Sequence, residues 1–535
     1  MSDLRAHFAV VAVLVAGLQG RATAQVMFDQ YDVVTGVATR QTVVTGFLLG
    51  GAVAELAVVY LDEVDDRRLR IYAFADGAWV STLDATLRPD VLFVDVAKLG
   101  ARDRLVTYEP GRLNWFDPES ATEHELVTVA SNFTPPRGSD IPHVDITQDV
   151  NGDGRDDLVV PDVDGFWVFT QMSDGVFADR VKVGPPTEMA RIYGADGYRF
   201  SPWGQSRVHE VDYNRDGRDD LVFWNEDHFE VHTQDERGLF TPVAETFTTD
   251  VVFDSDDLSS LITEDMVGKV LHSFADLNDD GVGDLVVFSL KGANISSKQS
   301  SYEVHLGAPT FEDGTAFATE VDFAIQSDGI QLGMDRHDFD RDGQVDLMVT
   351  TIEDGYLESS LWKTLKGFMG DDIWLDLEFF RMEGGGYPDK PNATRRIALD
   401  GAPSHREPGW VPLDVVLRGG THESRRAEEQ WSRAFNRTLL LGDVTGDDRS
   451  DLLIGSDGGL RVFVGVPGPD LFAGRPQSVA VTVPNDEEYT WLVDLNADGK
   501  QDVLMHHPFI LRDAHGAPRR PPGTEPHRVT LLIAQ

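Results

Sequence analysis

The chain has 535 residues, with 91 Asp and Glu against 46 Lys and Arg, a formal net charge of −45 and no cysteine. At 41% hydrophobic residues it carries enough apolar side chain for a folded core, so the charge does not signal disorder; a surface this acidic excludes nucleic acid and anionic lipid as partners. The lack of Cys excludes disulfides, thiol catalysis, cysteine-ligated zinc and a lipoprotein anchor.

At the N-terminus, Arg5 and His7 precede an apolar run from Phe8 to about Leu18, and Ala22-Thr23-Ala24 fits the small-x-small cleavage rule. Residues 1–24 are therefore expected to be a signal peptide, which places the mature protein outside the cytoplasm: secreted, periplasmic or at the cell surface. The run is too short to span a bilayer, and no integral membrane segment is expected once the signal is removed.

From 25 to 535 the sequence predicts a single domain. VMFDQYDVV has the pattern of a last strand in search of a sheet. FLLGGAVAELAVVY around Glu55 and DVAKLGARDRLVTY from Asp95 share a rhythm of loop then apolar strand. From Asp149 onward that rhythm gains a nine-residue loop of the form Asp-x-Asn/Asp-x-Asp-Gly-x-x-Asp. It recurs as DVNGDGRDDLVV, DYNRDGRDDLVF from Asp212, DLNDDGVGDLVV from Asp276 and DFDRDGQVDLMV from Asp338. DVTGDDRSDLLI from Asp443 is a degraded copy, with Thr445 at the third position and Asp448 where Gly is expected, and DLNADGKQDVLM from Asp494 is a further good one.

The spacing has a physical reason. Oxygens at loop positions 1, 3 and 5 converge on one cation when the backbone curls, the Gly at position 6 tolerates the φ > 0 of the curl, a carbonyl at position 7 adds a ligand and the acid at position 9 closes the shell. An EF-hand begins the same way but runs to twelve residues, ends on Glu and lies between helices, whereas Leu-Val-Val and Leu-Met-Val are strand formers. Calcium is thus the expected cofactor, about five or six ions, which would offset about twelve of the negative charges.

After each loop come a buried strand, a tight turn (Gly165, Gly459, with His228 in the same place) and a second strand. A looser strand follows, opening Gly-x-Phe or similar, as in GVFADRVKV. With the strand that leads into the loop, the unit is a four-stranded antiparallel meander of roughly 50 to 65 residues, the content of a propeller blade. The fold expected is all-β: a β-propeller of eight such blades, with seven as the alternative count. The N-terminal strand would complete the C-terminal blade beside RVTLLIAQ, so that no sheet edge is left open.

The repeated Asp-x-Asn/Asp-x-Asp-Gly-x-x-Asp-Leu resembles the FG-GAP/VCBS repeat family, whose members include the integrin α-subunit head propellers, over about residues 40 to 510. The resemblance implies a metal-ligand role for thirty residues, with position 7 acting through its carbonyl. In the first two loops these are Asp149, Asn151, Asp153, Arg155 and Asp157, then Asp212, Asn214, Asp216, Arg218 and Asp220. Asp276, Asn278, Asp280, Val282 and Asp284 follow, then Asp338, Asp340, Asp342, Gln344 and Asp346. The last two sets are Asp443, Thr445, Asp447, Arg449 and Asp451, and Asp494, Asn496, Asp498, Lys500 and Asp502. It implies no catalytic residue. The family spans adhesion receptors, lectins and domains of polysaccharide-degrading enzymes, so the function expected is a binding or adhesion module for a protein or glycan. A calcium-dependent polysaccharide lyase and a purely structural envelope component are the alternatives.

One interval breaks the period. About 105 residues separate Asp338 from Asp443, so an insertion is expected within 351–440. Leu357, Leu361 and Leu365 form a helical stripe, IWLDLEF alternates as a strand and HESRRAEEQWSRAF has the pattern of a short amphipathic helix. Arg395, Arg396, Arg406, Arg425 and Arg426, with Trp410 and Trp431, stand out against the acidic background; arginines pairing with propeller acids and tryptophans packing the insertion down are favoured over a ligand role. His143 and His506-His507 follow no zinc spacing.

Overall fold

The computed structural model describes residues 26–36, 41–134, 141–184, 199–200, 208–255, 267–292, 299–310, 315–327, 329–353, 374–398, 438–456, 459–484, 489–507 and 527–535. Eight four-stranded antiparallel blades form a β-propeller, so the larger of the two counts holds. No α-helix occurs among the described residues, and both expected helices of the 351–440 interval lie outside them.

Blades are numbered here from the first complete one. Their inner strands are, in order, Gln41–Gly46, Phe93–Leu99, Thr147–Gln148, His209–Val211, Gly268–Ala275, Gly329–His337, Leu439–Gly442 and Thr490–Val493. The second strands are Glu55–Leu61, Arg102–Glu109, Asp157–Asp162, Asp220–Asn225, Asp284–Lys291, Asp346–Glu353, Asp451–Ser456 and Asp502–His507. Inner strands of neighbouring blades touch, as between blades 1 and 2, 4 and 5, and 7 and 8. The second strands are buried on both faces because each blade is sandwiched between two others; Asp157–Asp162 is buried at every position. That is why the sequence after each loop is a continuous apolar run and not an alternating one.

The core lies between blades. Val159, Phe166 and Val168 of blade 3 pack on Leu221 and Phe223 of blade 4, and Leu504, Val529 and Leu531 of blade 8 pack on Leu56 and Val58 of blade 1. Face-to-face burial of this kind supplies most of the favourable free energy, at about 25 cal/mol per Å² of apolar surface removed from water. Gly165, at φ 125°, is required by close approach: a Cβ there would lie 2.6 Å from the Val183 carbonyl oxygen of the outermost strand. The Gly-x-Phe stretch is not the start of that strand. Val176–Phe177 pairs back on Gln171–Ser173 as a separate hairpin, and only the tail Val181–Val183 pairs as the fourth strand.

The ring closes as expected. Phe28–Gly36 pairs antiparallel with His527–Ala534, from Phe28 opposite Ala534 to Gly36 opposite His527, and so becomes the outer strand of blade 8. Thr530 Oγ1 donates to Asp32 Oδ1 at 2.6 Å, and the Val26 N–H reaches Gln477 Oε1 of blade 7 at 2.9 Å.

Blade 6 is regular despite the long interval: Gly329–His337, Asp346–Glu353, Trp374–Phe380 and Ala393–Ala398 pair in order. The additional chain sits between its second and third strands, 354–373, and after its fourth, 399–437. Both intervals lie outside the described residues; the strand ends Glu353, Trp374 and Ala398 that flank them are on the face of the ring opposite the acidic loop of the same blade.

Candidate metal centres

All six acidic loops join an inner strand to a second strand, on one face of the ring. They share one backbone path with two left-handed residues, at positions 4 and 6. Position 4 is Gly152, Arg215, Asp279, Arg341, Gly446 or Ala497, with φ from 54° to 72°; position 6 is Gly154, Gly217, Gly281, Gly343, Asp448 or Gly499, with φ from 64° to 87°. The repeat pattern exposed position 6 and missed position 4, because four different residue types occupy it. A Cβ at Gly154, Gly217, Gly281, Gly343 or Gly499 would meet nothing, so position 6 is constrained by its backbone angle alone. Asp448 therefore fits, at the cost of a left-handed non-glycine residue.

The position-1 carboxylate winds the loop around itself. Asp149 accepts the Asp153 N–H at 3.0 Å on one oxygen and the Gly154 N–H at 2.7 Å on the other. Asp212, Asp276, Asp338, Asp443 and Asp494 accept the same two N–H groups of their own loops. At position 5, Asp153, Asp216, Asp280, Asp342, Asp447 and Asp498 each accept the position-7 N–H.

The position-9 acid does more than close a loop. Asp157, Asp220, Asp284, Asp346, Asp451 and Asp502 are fully buried. Each takes a backbone N–H near the start of its own loop on one oxygen and an N–H at or just beyond the end of the third strand on the other. For Asp284 the donors are Leu277 at 3.0 Å and Gly307 at 2.8 Å; for Asp502 they are Leu495 at 2.9 Å and Ala534 at 2.8 Å. Burial, reinforced by the other acids of each loop and opposed by these hydrogen bonds, pushes Asp157, Asp284 and Asp346 up to about 7. Asp220, Asp451 and Asp502 are pushed up to about 6 for the same reasons. Ionised carboxylates held in so dry a place favour a nearby cation.

Position 8 ties blade to blade. The Gln501 N–H donates to the Asp443 carbonyl at 2.8 Å, the Ser450 N–H to the Phe339 carbonyl at 3.3 Å, and the Ala54 N–H to the Leu495 carbonyl at 2.6 Å. The last of these crosses the junction of blades 1 and 8.

The loop of blade 6 fits a cation best. Oxygens of Asp338, Asp340 and Asp346 lie within 4.8 Å of one another, the one such trio of acids among the described residues. Asp340 Oδ1 is buried there with no hydrogen-bond partner, and burial raises that carboxyl. An all-oxygen donor set of this charge suits a hard divalent ion of the calcium and magnesium class. In the other loops position 3 is Asn or Thr. The degraded copy satisfies itself: Thr445 Oγ1 donates to Asp443 Oδ1 at 3.3 Å.

Side chains at position 7 hold a role the repeat did not reveal. The Arg155 and Arg218 guanidiniums pair with Asp153 and Asp216 of their own loops, and Arg449 pairs with Asp447 at 2.5 Å. In blade 6, Arg381 comes from outside the loop to Asp340 at 2.8 Å and Asp342 at 3.1 Å. Among the insertion arginines, Arg396 pairs with Asp376 at 2.7 and 2.6 Å, and Arg395 donates to the Phe472 and Asp470 carbonyls of blade 7, so both fasten the fold. Arg406, Arg425, Arg426, Trp410 and Trp431 lie outside the described residues. His506 and His507 are buried in blade 8, and His143 Nε2 stands 2.8 Å from Asp95 Oδ1.

No family model matches the chain, and no curated protein matches it in sequence. Among solved structures it is similar to an Agrocybe aegerita lectin described by its specific recognition of non-reducing terminal N-acetylglucosamine, at 16% identity and a TM-score of 0.34 over 79% of this chain and 89% of that one. It is also similar to the V. cholerae biofilm matrix protein Bap1, at 10% identity and a TM-score of 0.32 over 97% of this chain and 89% of that one. At these scores neither likeness carries an argument about ligand or activity.

Proposed function

We propose that the protein is a secreted calcium-binding β-propeller acting as a binding or adhesion module, in which calcium staples the blades. The observation that carries this reading is the Asp338, Asp340 and Asp346 trio, with a buried carboxylate oxygen that no protein group satisfies. The backbone shared by all six loops extends it around the ring. Positions 1, 3, 5 and 9 would hold each ion, and the ion would supply charge neutralisation and a crosslink within the loop. Loops in blades 3 to 6 and 8 retain the full pattern, so about five strong sites are expected, with Asp443 to Asp451 weaker. Fixed blades then present recognition surfaces to a protein or glycan.

Extracellular calcium modules bind with dissociation constants of about 10⁻⁴ to 10⁻³ M, so chelation should strip the ions. Thermal melts with calcium and with EDTA, alongside metal counting by mass spectrometry, test the staple; an unchanged melting temperature removes it. A glycan array run beside an activity screen on uronic-acid polymers tests the binding role. New ultraviolet-absorbing unsaturated ends would replace it with lyase chemistry.

A further inference from the structure

Blade 2 departs from the other seven in a way that makes a recess. A short strand, His143–Val144, lies parallel against its inner strand Phe93–Leu99 and carries a second short strand, Arg199–Phe200, on its far side. The inner strands of blades 8, 1 and 2, with the chain that enters blade 3, bound a recess of about 310 Å³. That volume suits a small molecule.

Its wall is chemically mixed. Trp491 lines it from blade 8, half-buried beside the core between blades 8 and 1. Asp95, buried, holds His143 at 2.8 Å and accepts the Ile146 N–H at 2.8 Å, which fixes the imidazole in place. Thr147 Oγ1 is buried on the wall with no hydrogen-bond partner. Asp103 and Asp156 each spend one oxygen on a backbone N–H, from Phe47 at 2.8 Å and Lys98 at 2.6 Å. No ion pair within 4 Å joins either of them to a described cation, and Asp145 adds a fourth carboxylate. Lys98 is the one lysine or arginine on the wall among the described residues, and it is exposed.

We propose that this recess binds a small organic ammonium ion. The oxygens of Asp103 and Asp156 that are not spent on Phe47 and Lys98 receive its N–H donors, and the indole of Trp491 offers a cation–π face. Anions are repelled by four carboxylates, and a neutral polyol would forgo the charge term. The assignment rests on blades 8, 1, 2 and 3 and not on the metal loops, so it stands whether or not those loops take calcium.

The test uses the full chain in excess calcium and physiological salt, which screens diffuse attraction to the acidic surface. Three molecules of matched length are titrated by calorimetry and tryptophan fluorescence: putrescine, butane-1,4-diol and succinate. Putrescine is expected to bind saturably, one per chain, and the other two at least about tenfold more weakly. Asp103→Asn combined with Asp145→Asn, confirmed folded by its melt, should weaken putrescine by at least about tenfold. Trp491→Phe should abolish the fluorescence change while calorimetric binding persists. Absence of saturable binding below about 10 mM putrescine, equal binding of the diol, or an unaffected double variant overturns the proposal. Displacement of putrescine by calcium added beyond loop saturation also overturns it, by making the recess a metal site. Loss of the EDTA effect on melting would leave this result untouched, so the two readings fail separately.

Discussion

Blades 1 and 2 build with no acidic loop the junction that blades 3 to 8 build with one. In blade 1, Glu55 opens the second strand at the place of the position-9 acid, is buried, and accepts the Leu49 N–H at 3.0 Å. In blade 2 the loop has shrunk to a two-residue turn at Gly100 and Ala101, and Asp103 caps the Phe47 N–H of blade 1 as Asp156 at position 8 caps the Lys98 N–H of blade 2. In blade 1 the acid at the foot of the second strand thus persists where the other loop acids are gone. Its first duty is to satisfy backbone N–H groups in a dry place. In the function proposed above, positions 1, 3 and 5 are the part of the motif that would answer to a metal.

The largest effect should come from acid at the buried histidines of blade 8. Burial lowers His507 and His527 to about 4, with Arg528 also pushing His507 down and Asp32 opposing. The folded protein then binds fewer protons than the unfolded chain, so stability is full above the unfolded value of about 6.5 and is lost as pH falls toward 4. The loss is about 3 kcal/mol for each histidine. A pH series of denaturant unfolding checks it, and His527→Phe should flatten the acid limb; an unaltered limb would assign acid sensitivity to the loops instead.

Next in size, Asp284→Ala strands two buried N–H groups and should cost about 3 kcal/mol, even in EDTA. Glu55→Ala should cost about half as much. If Asp284→Ala is harmless once calcium is removed, capping is not the primary duty of position 9. Calcium itself should stabilise each occupied loop by about 2.7 kcal/mol at a hundredfold excess over its dissociation constant. Amide exchange should therefore quicken on chelation in blades 3 to 6 and 8 and stay unchanged in blades 1 and 2; uniform quickening would erase the distinction. The smallest effect separates conformation from ligation. Ala497→Gly, at φ 54°, should gain about 0.5 kcal/mol with or without calcium, read from the urea midpoint.

Much of this molecule was written locally. Nine-residue loops, the apolar run after each and the turn at Gly165 or Gly459 recur in register, so blade number, strand order and the pairing of Phe28–Gly36 with the C-terminal strand followed from the sequence. Short-range geometry leaves a period, because each blade must make the same curl from the same few residues. What the period could not carry was settled between segments far apart in the chain. The partner of Asp502 is the N–H of Ala534, the guanidinium over Asp340 belongs to Arg381, and the recess brings Trp491 to His143 and Asp103. Such contacts depend on how neighbouring blades stack and on where the ring closes. They differ from blade to blade, leave no repeat to read, and exist only once the propeller has formed.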